Sequence, residues 1–327
     1  MKLDIVVTHY REPWEICRYL FDSIALQRGV PLDQIRVLVI NDGDSLLDEK
    51  AFTEYPFTVE YKAFPHGGIS AARNHGIECS TAEYVMFCDI DDGFLNNYGL
   101  HLIFSAMQEG FDFLCSNFVE ETFTEHGDMT IIRHDRDMTF MHGKVYRREF
   151  LEKHDLVFDP AMTLHEDGYY NSVVYSTASH EGTVRFIDTP IYLWRWNDGS
   201  TVRKNRKDFV LRTYAEVMRT RTGICRELKR RGYEDDYVTA VCMTVLNSYY
   251  DFQKPSYNVA RNAKHIAAAE RAFKRFYAEF GETFRDQENG KIAEIAKAAR
   301  EIACKNGMLM ERQDIKSWLK HIEREVK

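Results

Sequence analysis

The strongest constraint on this chain is a rhythm in its first part: a short apolar run, a polar loop, an amphipathic stretch, then another run. The runs fall at residues 4–8, 35–41, 58–62, 84–88 and 113–118, each short and largely apolar, as strands buried on both faces must be. Between them, residues 14–27, 70–79 and 96–109 carry helical periodicity. Strand and helix alternating in this order predict an α/β domain with a mainly parallel sheet. Polar loops follow three strand ends, at Thr8-His9-Tyr10, Asn41-Asp42-Gly43 and Asp89-Ile90-Asp91-Asp92. Ligands of open α/β sheets bind at the carboxyl ends of strands, so these loops are expected to meet in one crevice.

Beyond residue 118 the pattern loosens. Strands are expected at 131–132, 141–146, 184–187 and 191–196, with a helix at 166–176. From about Lys207 apolar residues recur three and four apart to the end, with breaks at Arg231-Gly232, Lys254-Pro255, Phe280-Gly281 and Asn306-Gly307. The predicted organisation is an α/β domain over 1–206 and a helical region of four or five helices over 207–327. Charge divides in the same way. Residues 1–202 hold 16 Lys and Arg against 33 Asp and Glu, and the remainder holds 27 against 18. That split suits cation handling in the first part and an anion in the second, although solvated helix faces explain the second equally well.

Composition excludes several classes. With 44% hydrophobic and 29% charged residues the 327-residue chain is globular rather than disordered. No run approaches the ~20 apolar residues of a bilayer-spanning helix, and the first residues do not form a secretory signal, so a cytoplasmic protein is expected, with contact at the inner membrane face as an option. The seven cysteines show no C-x-x-C spacing and several sit in apolar runs, which reads as reduced, mostly buried thiols and argues against zinc.

Four clusters carry polar chemistry. In Asp89-Ile90-Asp91-Asp92, alternate residues of an extended segment face the same way, so Asp89 and Asp91 can address one ligand. Carboxylates there suit a hard divalent cation; an ordinary polar turn is about as good an explanation. Asp42 can accept from a nucleobase or ribose, or simply close a turn. In His66-Gly67-Gly68-Ile69-Ser70-Ala71-Ala72-Arg73-Asn74, the glycines allow close backbone approach, Ser70 is placed to cap a helix, and Arg73 is placed to meet a diphosphate. Glu166-Asp167 opens a helical pattern; capping is the plainer reading and a general base the functional one.

Taken in order, the strand ending in Thr-His-Tyr, then VINDG, HGGISAARN, YVMFCDIDD and KVYRREFL followed by FDPAMTLHEDGYY, resembles glycosyltransferase family 2 on the GT-A fold over about residues 3–200. The resemblance implies a nucleotide-sugar site built from Thr8, Tyr10, Asp42, Gly68, Arg73, Asp89, Arg195 and Ser200. It makes Asp89 and Asp91 the D-x-D motif for Mn²⁺ or Mg²⁺, with Asp91 the more direct ligand. Asp167 becomes the catalytic base, with Glu166 beside it. It also implies inversion at the anomeric carbon and, most often, a UDP-sugar donor, hence a hexosyl- or N-acetylhexosaminyl-transferase. Thr8-His9, Asn41 and His66 depart from the residues common in the family.

Two further stretches bear on partners. Tyr192-Leu193-Trp194-Arg195-Trp196-Asn197-Asp198-Gly199-Ser200 offers aromatic faces for a sugar and a polar end able to close over a donor, or alternate aromatics filling a core. Residues 203–231 hold eleven Lys and Arg against three acids, fit for a carbohydrate or polyol-phosphate acceptor or an anionic membrane surface, with an exposed basic face preferred. No nucleic-acid reading motif accompanies that charge. Oligomerisation through the helical region is an option. The competing functions are a sugar nucleotidyltransferase, which wants a glycine-rich basic loop after the first strand where Thr8–Pro13 has none, and a catalytically silent binding protein, against which Asp89, Asp91 and Asp167 argue.

Overall fold

The computed structural model describes residues 1–43, 47–124, 126–198, 208–287, 291–305, 308 and 310–324. The chain divides into two compact units, 1–200 and 201–327. The boundary expected at 206/207 lies outside the described residues.

The first unit is built on β1 (Leu3–His9), β2 (Ile35–Asp42), β3 (Thr58–Phe64), β4 (Tyr84–Asp89), β5 (Gly93–Phe94), β6 (Phe113–Phe123), β7 (Met129–His134), β8 (Lys144–Arg147) and β9 (Val184–Trp194). These form one sheet in the order β3-β2-β1-β4-β8-β6-β9-β5, with β7 on β6. β1, β2, β3 and β4 run parallel, as does β6 with β9, whereas β8, β7 and β5 join antiparallel. Helices α1 (Trp14–Ala25), α2 (Ile69–Cys79), α3 (Gly99–Glu109), α4 (Arg148–Lys153) and α5 (Glu166–Glu181) complete the unit.

Alternation along the strands decides which face each helix covers. Leu3, Ile5 and Val7 of β1 share a core with α1 and α3, while Val6 packs with Ala72 and Ile77 of α2 and Val173 and Val174 of α5. In β4, Tyr84, Met86 and Cys88 enter the first core and Val85 and Phe87 the second. The same parity turns Asp89 toward the α2/α5 side and returns Ile90 to the first core. Each fully buried Leu, Ile or Phe stabilises the sandwich by about 1.5–3 kcal/mol.

Gly76 sets the closest approach of α2 to the sheet. A Cβ there would lie 2.2 Å from Val6 Cγ1. Gly76→Ala should therefore destabilise the unit by about 1–3 kcal/mol in urea unfolding. A cost below half a kilocalorie would mean that α2 slides freely on β1.

Two sequence expectations change here. The strands expected at 184–187 and 191–196 are one strand, β9, which ends at Trp194 and whose pairing with β6 shifts register at Asn117. Pro190 cannot donate to the ladder, and the Asn117 side chain fills in by donating to the Asp188 carbonyl at 2.7 Å. Ser70 does not cap α2: the cap position is Gly68, and Ser70 Oγ donates to the Met162 carbonyl instead, at 2.8 Å.

The second unit is helical: α6 (Phe209–Arg212), α7 (Tyr214–Arg231), α8 (Glu234–Gln253), α9 (Ala263–Arg285), α10 (Lys291–Lys305) and α11 (Ile315–Arg324). Met218, Val241, Val245, Phe273, Phe276, Phe280 and Trp318 lie in its core. Gly232 ends α7 in the left-handed conformation, at φ 77°, as a C-terminal glycine should. Gly281, expected as a break, lies inside α9, where a Cβ would come 3.1 Å from the Tyr277 ring one turn back. Its role is packing, not termination.

The basic run is largely paired within the unit where it is described. Arg226 grips Glu279 with two hydrogen bonds of 2.8 and 2.6 Å, and Arg230 and Arg231 both reach Glu227. Among the described residues no helix is long and apolar enough to cross a membrane.

Candidate active site

The loops after β1, β2 and β4 lie side by side because those strands are neighbours in register: Thr8 pairs with Ile40 on one side and with Asp89 on the other. His9, fully buried, ties two of these loops through Asn41 Oδ1 at 2.7 Å, and Asn41 Nδ2 in turn donates to the Gly43 carbonyl at 2.7 Å.

Asp42 organises the loop before α2. Its carboxylate accepts from Gly67 N–H at 2.7 Å, Gly68 N–H at 3.0 Å and His66 Nδ1 at 2.9 Å. Tyr10 stacks on the His66 ring with centroids 4.7 Å apart. The two departures His9 and His66 thus both bond to partners within this cluster.

Arg73 is the hub. It lies in the first turns of α2, is 3% exposed, and packs over the Phe158 ring. Its Nη1 donates to Glu166 Oε1 at 2.9 Å and to Asp167 Oδ1, and its Nη2 to Asp89 Oδ1 at 3.4 Å. One guanidinium therefore joins the acids at the end of β4 to those at the start of α5. α5 has no side-chain cap bond; His165 before it stands at φ 62°, a strained left-handed position for a non-glycine residue. That turn delivers Glu166 and Asp167 to Arg73, while both acids also stand in the first turn of α5, where negative charge is favoured. Asp167 Oδ2 accepts in addition from Met141 N–H at 3.3 Å.

Crowding of acids shifts their protonation. Burial pushes the Asp167 carboxyl up to about 7; Arg73 opposes the rise and Glu166 adds to it. Burial likewise raises Asp89 to about 6, against the pull of Arg73 and with a further push from Asp167 and Asp91. Burial holds Asp92 well above the usual carboxylate range, helped by Asp91 and Asp89.

The strand and loop after residue 191 brace the acidic turn. Tyr192 O–H donates to Asp92 Oδ2 at 2.8 Å and accepts from Asp89 N–H at 3.1 Å. Arg195 N–H donates to Asp92 Oδ1 at 2.9 Å, its Nη1 donates to the Asp91 carbonyl at 3.2 Å, and its guanidinium sits 3.9 Å from the Tyr19 ring centroid. Ser200 lies outside the described residues.

A metal could be held here by two sets of groups. Asp89, Asp92 and His142 bring one ligand atom each within 4.8 Å of one another. His142, just ahead of β8, was not singled out by sequence reasoning; a lone His before a Gly follows no ligand spacing, and only the fold brings it to Asp92. Asp92 and His142 are buried, and both Asp92 oxygens already accept hydrogen bonds. Asp89 and Asp91 are only half-buried. Two carboxylates with an imidazole nearby suit Mn²⁺ or Mg²⁺ by their chemistry.

Comparison with known proteins is decided by the first unit. The model of glycosyl transferase family 2 matches residues 4–168, about half of the chain. The chain belongs to that family. It is 26% identical over 214 residues to EpsH of Bacillus subtilis (strain 168), a glycosyltransferase by name, covering 58% of this chain and 60% of EpsH. It thus spans less than two thirds of that relative. Among solved structures, S. aureus TarS 1–349 superposes with a TM-score of 0.60 at 14% identity, covering 95% of this chain and 93% of TarS 1–349. The mannosyltransferase PcManGT of Pyrobaculum calidifontis, in complex with GDP-Man and Mn²⁺, gives 0.50 at 14% identity, covering 95% and 88%. The fold is GT-A.

Proposed function

We propose that this chain is an inverting glycosyltransferase that moves a sugar from a nucleoside diphosphate to an acceptor hydroxyl. The observation that carries this reading is the Arg73 bridge, which sets Asp89 and Asp167 on either side of one cationic side chain. A single displacement needs a stabilised leaving group on one side of the anomeric carbon and a base on the other, and no protein nucleophile.

In this reading Asp91 and Asp89 hold a divalent cation, with Asp92 and His142 behind them. Bound there, the ion would act as a Lewis acid toward the departing diphosphate. Asp167 takes the proton of the acceptor hydroxyl, and Glu166, close by, raises its proton affinity. Arg73 fixes the orientation of that carboxylate. Asp42, with Tyr10 and His66, shapes the wall offered to the nucleotide, and Thr8 and Gly68 line its approach. Arg195 borders the diphosphate.

UDP is the first donor nucleotide to test, because TarS 1–349 has been solved with UDP and with UDP-GlcNAc; GDP is the second, because PcManGT has been solved with GDP-Man. Mn²⁺ together with the right nucleotide should raise Tm more than either alone. Ligand at 100 times its Kd stabilises by about 2.7 kcal/mol. A screen of nucleotide sugars for Mn²⁺-dependent hydrolysis then identifies the donor without knowledge of the acceptor. No shift and no hydrolysis with any common nucleotide sugar would remove this reading.

A further inference from the structure

The four residues after β9 do more than lead away from the sheet. Arg195 bonds the Asp91 carbonyl and the Asp92 carboxylate, Trp196 N–H donates to Glu121 Oε2 at 2.8 Å, and Trp196 Nε1 donates to Asp198 at 2.7 Å. Between them, Asn197 Nδ2 donates to Asp91 Oδ2 at 2.8 Å. Among the described residues this is the single hydrogen bond to the Asp91 side chain, and it engages one of the two oxygens.

We infer that Asn197 is a positioning residue for Asp91: its amide fixes the carboxylate rotamer so that Oδ1 is presented to a divalent cation. This rests on the reading of Asp91 as a cation ligand. The physical argument is that a half-buried Asp on a turn has free χ1 and χ2 rotations, and a cation bound by a rotating carboxylate must first order it. The Asn197 amide carries out that ordering in advance. It is a neutral donor, so it orients the carboxylate without cancelling the charge that attracts the cation, as an Arg or Lys in its place would. Because the Arg195 and Trp196 N–H groups pin the backbone just ahead of Asn197, the amide is itself held in place. Outer groups of this kind typically change metal affinity by about 10–100-fold when removed.

The test is Mn²⁺ binding, followed by the electron paramagnetic resonance signal of free Mn²⁺, with the full chain alone and again with UDP. Asn197→Ala and Asn197→Leu, the latter keeping the volume without the donor, should each weaken Mn²⁺ about 10–100-fold while leaving Tm in metal-free buffer unchanged. Asp91→Asn should lose Mn²⁺ binding. If Asp91→Asn loses the ion and both Asn197 variants bind it as the wild type does, the inference is overturned and the reading of Asp91 stands. If Asp91→Asn binds Mn²⁺ normally, the ligand assignment itself fails and takes the inference with it.

Discussion

Asp167→Asn should reduce the transfer rate by about 10²–10⁴-fold, the usual contribution of a positioned base, while donor binding stays close to that of the wild type. Asn is isosteric and keeps one oxygen for the Arg73 guanidinium, giving up only the weaker contact from the Met141 N–H to the second oxygen, so the bridge survives and the proton acceptor does not. The split between kcat and donor affinity is the diagnostic quantity. If binding falls as far as rate, Asp167 holds the donor and is not the base. The pH dependence gives an independent check. A base works ionised, and burial with Glu166 nearby raises the Asp167 carboxyl to about 7, so activity should climb with pH through an acidic limb near that value. Glu166→Gln removes the neighbouring negative charge and should move the limb to lower pH. An unmoved limb would assign the titration to another group.

The second large effect concerns stability, at the opposite end of the sheet. Asp4, fully buried in β1, accepts from Arg36 at 2.9 and 2.7 Å, from Ser80 Oγ at 2.5 Å, and from the N–H groups of Thr81 and Ala82 at 2.9 and 3.0 Å. Asp4→Ala leaves Arg36 with Glu60 as its one carboxylate partner and takes the acceptor from the Ser80, Thr81 and Ala82 donors. Breaking a buried pair in this way costs about 3–5 kcal/mol. At roughly 2–4 °C per kcal/mol for a unit of this size, Tm should drop by roughly 6–20 °C. Burial alone would raise the Asp4 carboxyl, but the Arg36, Ser80, Ala82 and Thr81 bonds outweigh it and the net shift is downward. Its contribution is therefore fully present above the unfolded value of about 3.9 and is lost as pH falls through the lower folded value. Urea unfolding of the wild type should show this loss below about pH 4, and Asp4→Ala should lack it. A variant that melts within a degree or two of the wild type would show that the Arg36 cluster is ornamental.

Strands β1, β2, β4 and β6 and the first three helices were legible because period and length speak plainly when both faces of a strand are buried; β3, at the edge of the sheet, is exposed or half-buried throughout. Residues 84–88 could be nothing else, and their parity already pointed Asp89 to one side. Less legible was everything governed by side chains distant in the chain. Arg73 read as a cation for a diphosphate; its engagement by Asp89, Glu166 and Asp167 depends on how α2 and α5 lie against the sheet, which no local spacing records. Ser70 beside two glycines looked like a cap, yet a carbonyl from residue 162 competes for its hydroxyl. Gly281 looked like a helix end, and the neighbouring Tyr277 ring explains it instead. The irregularity in β9 was visible as a Pro, but was read as a gap between strands because the compensating side chain, Asn117, lies far earlier in the sequence.

The hub at Arg73 has an evolutionary corollary. A lone guanidinium balances acids drawn from two other elements, so a drift of charge at 73, 89, 166 or 167 leaves the remaining members mismatched inside the protein. Related chains should either keep all four identities or exchange them as a set, and a lineage that has given up the cation should also have given up at least one of its acids.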